Sequence, residues 1–154
     1  MEITQLRKQD IRVGEGTLVL RISPDAGTVK TGQYRDVPIH PQIIELGFRD
    51  FVGKSVGPLF YVADKKKDPV RGARTTAQIV SRWLHENNLT VQSVAPNHGW
   101  RHRFKTVGRE VGIQDRVLDA LMGHASTTAG DAYGDVTIKT KAKAINSLPH
   151  YAIK

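Results

Sequence analysis

The residues whose side chains could do chemistry are concentrated between positions 98 and 133. His98 and Arg101 are three residues apart, and His124 precedes Tyr133 by nine. An arginine and two histidines can bind and neutralise the oxygens of a phosphodiester, and a tyrosine hydroxyl can then attack the phosphorus. If these four side chains converge on one point, the pattern predicts phosphoryl transfer through a covalent tyrosine intermediate.

Each of these residues also has an ordinary structural interpretation. Arg101 alone is equally consistent with a salt bridge, and His98 alone with a capping or core histidine. A tyrosine hydroxyl, with an ordinary pKa near ~10, is a poor nucleophile unless its proton is removed and the phosphate is neutralised. The functional interpretation of Tyr133 therefore rests on the combination of residues and not on any one of them.

A metal site is the main alternative for the histidines. His98 and His102 are four residues apart, and His124 could supply a third ligand. The zinc-peptidase pattern requires a glutamate directly after the first histidine, where this chain has Gly99. The charge of Arg101 would also repel a dication. We therefore expect neither a metal nor another cofactor.

A basic, amphipathic helix is predicted at residues 97–111. At ~100° per residue, Trp100, Phe104 and Val107 fall on one side, which is expected to face the core. The opposite side is basic and carries His98, Arg101, His102, Lys105 and Arg109. That side is expected to face something anionic, which makes His102, Lys105 and Arg109 candidate DNA contacts.

A second helix is predicted to deliver His124 to this site. Gly112 is placed to end the first helix and Asp115 to help start the next one. The buried side of that next helix includes Leu118 and Leu121. Gly123 is expected to terminate it in the left-handed conformation, as glycine commonly does. His124 would then lie just beyond a helix end, on a rigid support.

The remaining elements predict a mainly α fold with a small antiparallel β-sheet, that is, an α+β fold. Strands are predicted at 10–13, 17–22 and 34–39, with Lys30 near a hairpin tip. Further helices are predicted at 41–52, 75–86 and 139–148, and residues 2–6 read as the end of a helix. Trp83 is expected in the core. The tail from residue 139 is expected to pack either on its own domain or on a neighbouring subunit.

Length and composition favour one globular domain that acts on a polyanion. A chain of 154 residues can bury a substantial core. It contains no cysteine, so it can form neither disulfides nor thiolate metal sites. No segment resembles a signal peptide or a membrane span, which predicts a cytoplasmic protein with no membrane partner.

The net charge of the chain is +8, and its isoelectric point lies near 9.9. Such a charge attracts nucleic acid, although it can also serve solubility alone. The consecutive lysines Lys65, Lys66 and Lys67 have the same two interpretations. They form either a solvated surface loop or a loop that follows the phosphate backbone of DNA.

Three motifs in order resemble the catalytic signature of the tyrosine recombinases, the phage-type integrases. They are HGWRH at 98–102, LMGH at 121–124, and Tyr133. That family reads roughly His-x-x-Arg-His, Leu-Gly-His and a terminal Tyr. The segment VKTG at 29–32, followed by RDVP at 35–38, resembles the lysine-bearing β-hairpin of the same family. The likeness extends from Glu2 to about Leu148, which implies that residues 1–154 form the C-terminal catalytic domain with its characteristic fold.

The resemblance implies a role for each candidate residue. Tyr133 would be the nucleophile, which forms a 3′-phosphotyrosyl bond and releases a 5′-hydroxyl. Arg101, His98 and His124 would bind the scissile phosphate. Lys30 would protonate the leaving oxygen as a general acid, whereas without the resemblance it would be an ordinary turn lysine.

The activity implied is site-specific DNA recombination, as integration or excision, in a bacterial or phage context near the nucleoid. The partner would be double-stranded DNA, bound by a homotetramer of the intact protein. The covalent intermediate conserves the energy of the phosphodiester, so the resemblance implies no cofactor.

One feature of the family pattern is missing from these residues. The family has another catalytic arginine three residues before a glutamate that opens Glu-[Leu/Ile]-x-x-Leu. Here that glutamate is Glu2, which would put the arginine upstream of Met1. We therefore expect an N-terminally truncated domain with little or no DNA cleavage of its own. The alternative is a non-catalytic DNA-binding remnant of an integrase.

Overall fold

The computed structural model describes residues 2–27, 29, 32–63, 68–90, 96–124 and 134–152, with the backbone alone for 96–98. The strands are β1 (Ile11–Gly14), β2 (Thr17–Ile22) and β3 (Arg35–Pro38). The helices are α1 (Pro41–Glu45), α2 (Phe48–Lys54), α3 (Pro69–Glu86), α4 (Pro96–Glu110), α5 (Asp115–Met122) and α6 (Ile138–Asn146). Short 3-10 turns cover Lys8–Asp10 and Pro24–Ala26.

The three strands form one antiparallel sheet in the order β1-β2-β3. Leu20 at the middle of β2 pairs with Ile11 on one side and with Val37 on the other. The turn between β1 and β2 contains Glu15 and Gly16, both with positive φ (48° and 74°), as a tight hairpin turn requires. The predicted α+β class, mainly helical with a small antiparallel sheet, is confirmed for the described part of the chain.

The core has two parts, which meet at Val37 of the sheet. In the first, Leu118 is fully buried (0% exposed) together with Leu121 and Ile145, which join α5 to α6. In the second, Leu6 packs with residues of β2 and of the segment before α3. Val37 on β3 contacts both clusters. The sheet therefore serves as a platform that holds α5, and with it the residue that follows this helix.

The two helices nearest the predicted site were expected to follow each other across Gly112, and the ion pairs Lys105–Asp119 and Arg109–Asp115 show that they pack as an antiparallel hairpin. Gly112 (φ 81°) follows the end of α4, and Gly123 (φ 71°) ends α5, both in the left-handed region. A Cβ added at Gly108 would lie 2.5 Å from Cδ2 of Leu118. The absence of a side chain at Gly108 thus allows α4 to pack closely on α5.

Several predicted boundaries were wrong, for local reasons. The helix predicted at 41–52 is interrupted, because Gly47 adopts a left-handed conformation (φ 88°) between α1 and α2. The helix predicted at 75–86 begins earlier, at Pro69. The Asp68 carboxylate caps that start by accepting a hydrogen bond from the Val70 amide at 2.9 Å. Residues 2–5 form turns and not a helix.

The expectation that both tryptophans lie in the core was also wrong. Trp83 is 53% exposed and Trp100 is 57% exposed. Helix α3 instead buries Ala73 and Leu84, and α4 buries Val107. The 3.6-residue period identified the helices correctly, but apolar residues cover a wider arc than the sides that these helices bury.

The exposure of both tryptophans predicts the emission wavelength and the quenching of their fluorescence. We expect emission at the long wavelengths of hydrated indole and efficient quenching by neutral acrylamide in dilute protein. Quenching that weakens as the protein concentration rises would indicate that copies associate through a surface that covers at least one of these tryptophans. Blue-shifted, poorly quenched emission at the lowest concentrations would contradict the observed exposure of Trp83 and Trp100.

The tail packs on its own domain as far as Tyr151, and packing on a neighbouring subunit stays a prediction. The Tyr151 amide donates to Oε1 of Gln42 at 2.9 Å, and Nε2 of His40 lies 3.2 Å from the Leu148 carbonyl oxygen. The rings of His40 and His150 meet edge to face, 5.0 Å apart. Among the described residues, no helix combines the length and apolarity needed to cross a membrane.

Candidate functional site

The structure brings Arg101 and His124 together from different helices. The Arg101 guanidinium donates through Nη2 to the Met122 carbonyl at 2.8 Å, one of the carbonyls that the end of α5 leaves without a helical partner. The same nitrogen lies 3.3 Å from Nε2 of His124. The His124 amide donates to the Asp119 carbonyl at 2.9 Å, which fixes its backbone beyond Gly123. A guanidinium and an imidazole thus meet at the end of a rigid helix.

Asp119 holds the other side of the His124 ring. Its Oδ1 lies 3.0 Å from Nδ1 of His124 and 2.9 Å from Nζ of Lys105. Partial burial tends to raise the pKa of the Asp119 carboxyl, but the hydrogen bonds from Lys105 and His124 outweigh burial, and this pKa lies below its usual value. Asp119 is therefore an ionised acceptor at neutral pH.

The three candidate DNA contacts on α4 have different surroundings. His102 is exposed. Lys105 is paired with Asp119, and Arg109 with Asp115 at 2.9 Å, where both side chains are more than half exposed (56% and 58%). Carboxylates on α5 thus neutralise part of the basic side of α4. Any DNA contact by Lys105 or Arg109 would compete with an existing ion pair.

Arg35 on β3 links the sheet to the end of α5. Its Nε donates to the Leu121 carbonyl at 3.3 Å, and its Nη2 forms an ion pair with the Glu2 carboxylate. A Cβ added at Gly123 would lie 2.6 Å from Nη1 of Arg35. Gly123 is thus required twice, for its left-handed backbone and for the space that the guanidinium occupies.

A groove runs alongside this cluster, between β3, α5 and the start of α6. His124 and Gly134 both line it, with Arg116 and Lys141 contributing positive charge. Arg116 donates to the Gly134 carbonyl. Burial lowers the pKa of the Lys141 ammonium, an effect that the nearby Asp36 and Asp135 carboxylates only partly offset. Arg101 reaches His124 from α4 and is not itself among the residues that line the groove.

Several other predicted site residues lie outside the described residues, namely Tyr133, Lys30 and the lysines at 65–67. His98 lies in the first turn of α4, but its side chain is outside the described part. Their roles stay predictions, whereas the adjacency of Arg101 and His124 is observed.

Sequence reasoning missed two residues that organise the site, Asp119 and Arg35. Arg35 was noticed only as part of the hairpin segment, and Asp119 was not singled out. A signal for Asp119 was present, because Lys105 and Asp119 lie at equal distances along the chain from Gly112, as do Arg109 and Asp115. In an antiparallel helix hairpin, such positions lie opposite each other.

The described part of the chain contains no group of side chains that could form the alternative metal site. No three His, Asp or Glu side chains are grouped there as metal ligands. The His98 side chain lies outside that part, so the proposed trio of histidines is not tested as a whole. Arg101 beside His124 nevertheless places a fixed positive charge where the cation would bind.

Comparison with known proteins points to one class of enzyme. Tyrosine recombinase XerA from Pyrococcus furiosus is 27% identical to this chain over 146 residues, which are 94% of the chain. They are 48% of XerA, so the chain spans about half the length of this relative. No family model matches the chain, and no solved structure matches it. The similarity supports a distant relationship to the tyrosine recombinases at the level of the family.

Proposed function

We propose that the chain carries the catalytic region of a tyrosine recombinase, which cleaves and rejoins DNA strands through a 3′-phosphotyrosine. The observation that carries the proposal is the contact between Arg101 and His124, which are 23 positions apart in sequence. Both belong to the motifs that resemble this family. The distant similarity to tyrosine recombinase XerA, over 94% of the chain, supports the same assignment independently of the site geometry.

The chemistry assigns one step to each group. The Tyr133 oxygen attacks phosphorus, the bond from phosphorus to the 5′-oxygen breaks, and a 3′-phosphotyrosyl bond replaces it. Arg101 and His124 bind the non-bridging oxygens and stabilise the charge that develops on them. His98 is the candidate acceptor of the tyrosine proton, and Lys30 donates a proton to the departing 5′-oxygen. Attack by a 5′-hydroxyl reverses each step and rejoins the strand.

Two features of the described structure suit this scheme. His124 and Gly134 line the same groove, and Tyr133 is the residue covalently joined to Gly134. Arg101 is anchored by the Met122 carbonyl, which leaves the other nitrogens of its planar fork for phosphate oxygens. A guanidinium anchored in this way needs little reorganisation when substrate arrives.

The larger assembly follows from the same assignment. Residues 1–154 would be a C-terminal catalytic domain with an integrase-like fold, acting on double-stranded DNA in the cytoplasm. The reaction would be integration or excision by a tetramer of the whole protein. The net charge of +8 favours binding to DNA that weakens as salt rises.

A test of the proposed chemistry should use a substrate with an activated leaving group, whose departure does not depend on a proton donor.

Thymidine 3′-(4-nitrophenyl phosphate) is such a substrate and requires no knowledge of the target sequence. Attack by Tyr133 would release 4-nitrophenolate, which departs without being protonated, and would leave thymidine 3′-phosphate on the tyrosine. We expect a slow burst of nitrophenolate with a matching gain in protein mass, and neither for Tyr133→Phe. Lys30→Ala should label normally, because this leaving group needs no acid.

If wild type and Tyr133→Phe bind DNA equally and neither is labelled, the enzyme assignment is contradicted. It would support the alternative, a DNA-binding remnant that no longer cuts. Salt-dependent binding to duplex DNA that is the same for wild type and Tyr133→Phe is expected in both cases. Binding therefore serves as the control that both proteins are folded.

A further inference from the structure

The Asp119 carboxylate lies where it can control the orientation of His124. One oxygen, Oδ1, is 3.0 Å from Nδ1 of His124 and 2.9 Å from Nζ of Lys105. The opposite ring nitrogen of His124, Nε2, is 3.3 Å from Nη2 of Arg101. The imidazole is thus held between an anion at one nitrogen and a guanidinium at the other.

This arrangement selects one tautomer. An ionised carboxylate can only accept hydrogen bonds, so the bond to Asp119 requires a proton on Nδ1. A guanidinium can only donate, so Arg101 favours an unprotonated Nε2 in the free protein. The neutral ring therefore carries its hydrogen on Nδ1 and presents the Nε2 lone pair towards Arg101.

We propose that Asp119 is a positioning residue, which accepts from Nδ1–H of His124 and so directs Nε2 to the phosphate site beside Arg101. The neutral ring accepts there from Arg101, and the protonated ring, with a hydrogen on both nitrogens, donates from Nε2 to a phosphate oxygen. Lys105 acts as the counter-ion that keeps Asp119 ionised and in place. The proposal rests on the recombinase function proposed above for its consequence in catalysis. The orientation of the ring does not depend on that function.

The backbone geometry makes this role separable from folding. His124 is tied to the same residue a second time, through the hydrogen bond from its amide to the Asp119 carbonyl at 2.9 Å. That bond does not involve the Asp119 side chain. Asp119→Asn should therefore leave the end of α5 in place while it removes the charge that selects the ring tautomer.

The competing explanation is that Asp119 only joins α5 to α4 through Lys105. The chain offers a matched control, because Asp115 forms the corresponding ion pair with Arg109 one turn earlier on α5. Within the described part of the chain, Asp115 forms neither a hydrogen bond nor an ion pair with His124, and the same substitution can be made there. A merely structural role predicts similar behaviour for Asp119→Asn and Asp115→Asn.

The test is long-range ¹H–¹⁵N NMR of the histidine rings in the whole chain, with His124 assigned by comparison with His124→Gln. In the wild type and in Asp115→Asn, we expect the neutral His124 ring with its proton on Nδ1. In Asp119→Asn, we expect a rise of the Nε2-protonated form. A wild-type ring protonated mainly on Nε2 would overturn the proposal, and this observation does not require any variant to fold.

The functional measurement is the labelling rate with thymidine 3′-(4-nitrophenyl phosphate). Loss of a residue that orients a metal-binding histidine typically costs about 10–100-fold, and we expect a loss of this size for Asp119→Asn. Asp115→Asn should label at the wild-type rate. Equal rates for Asp119→Asn and wild type would overturn the positioning role. Absence of labelling in all proteins, with the expected NMR spectra, would instead overturn the recombinase function and leave the orientation of His124 by Asp119 standing.

Discussion

Arg101→Lys is expected to slow labelling of Tyr133 by the activated diester about 10²–10³-fold, the range observed when one preorganised donor to a developing oxyanion is lost. The guanidinium of Arg101 bonds the Met122 carbonyl and contacts His124 while keeping further donors free. A lysine ammonium is a single point of charge, without the planar fork that binds two phosphate oxygens at once. The substitution preserves net charge, so a large loss of labelling rate would show that the planar shape of the guanidinium is required.

Arg103→Lys is the matched control on the same helix. The Arg103 guanidinium lies over the Tyr151 ring, 5.6 Å from its centre, and among the described residues it forms no hydrogen bond with His124. We expect this variant to label at the wild-type rate, with thermal unfolding recorded for both proteins. Labelling by Arg101→Lys at the wild-type rate would exclude Arg101 from the phosphate site.

Gly123→Ala is expected to destabilise the chain and to disturb the site together. Its φ of 71° costs an L-residue with a side chain about 1–2 kcal/mol. The new Cβ would also lie 2.6 Å from Nη1 of Arg35, which the Glu2 carboxylate and the Leu121 carbonyl hold in place. Relief of that contact must move Arg35 or the end of α5, and either movement shifts His124.

Gly112→Ala separates the cost of the backbone conformation from the cost of the Arg35 contact. Gly112 has a similar φ of 81°, but nothing lies within 4 Å of a Cβ added there. It should lose only the backbone contribution, about 1–2 kcal/mol in the free energy of unfolding, and label normally. Gly123→Ala should lose more stability and should label poorly. Equal losses of stability in chemical denaturation would show that the Arg35 contact has no cost.

The sequence predicted the elements of the site better than their surroundings. The first two strands follow from short apolar runs on either side of a turn that contains two glycines. Helices α4 and α5 follow from apolar residues at helical spacing, with Gly112 and Gly123 at their ends. Those same local rules placed His124 just beyond a helix end. What they could not supply was the partner of each side chain, because Arg101, Asp119 and Arg35 meet His124 or Gly123 only in the folded chain.

The wrong predictions have a common origin. The break at Gly47 and the early start of α3 depend on single residues, a left-handed glycine and the Asp68 cap. The exposed Trp83 and Trp100 depend on which elements lie next to α3 and α4, and no local pattern encodes that. The ion pair of Lys105 with Asp119 across the hairpin could not be predicted for the same reason, and the DNA contact of Lys105 stays a prediction.

The central claim is that Tyr133 shares one phosphodiester with Arg101 and His124, and identification of the labelled residue tests it most directly. The chain has four tyrosines. One of them, Tyr34, lines the same groove as His124 and has the Arg21 guanidinium 4.5 Å from its ring centre. Peptide mapping after reaction with thymidine 3′-(4-nitrophenyl phosphate) is predicted to place the nucleotide on Tyr133 alone. A nucleotide on Tyr34, on Tyr61 or on Tyr151, or on no tyrosine at all, would contradict the claim.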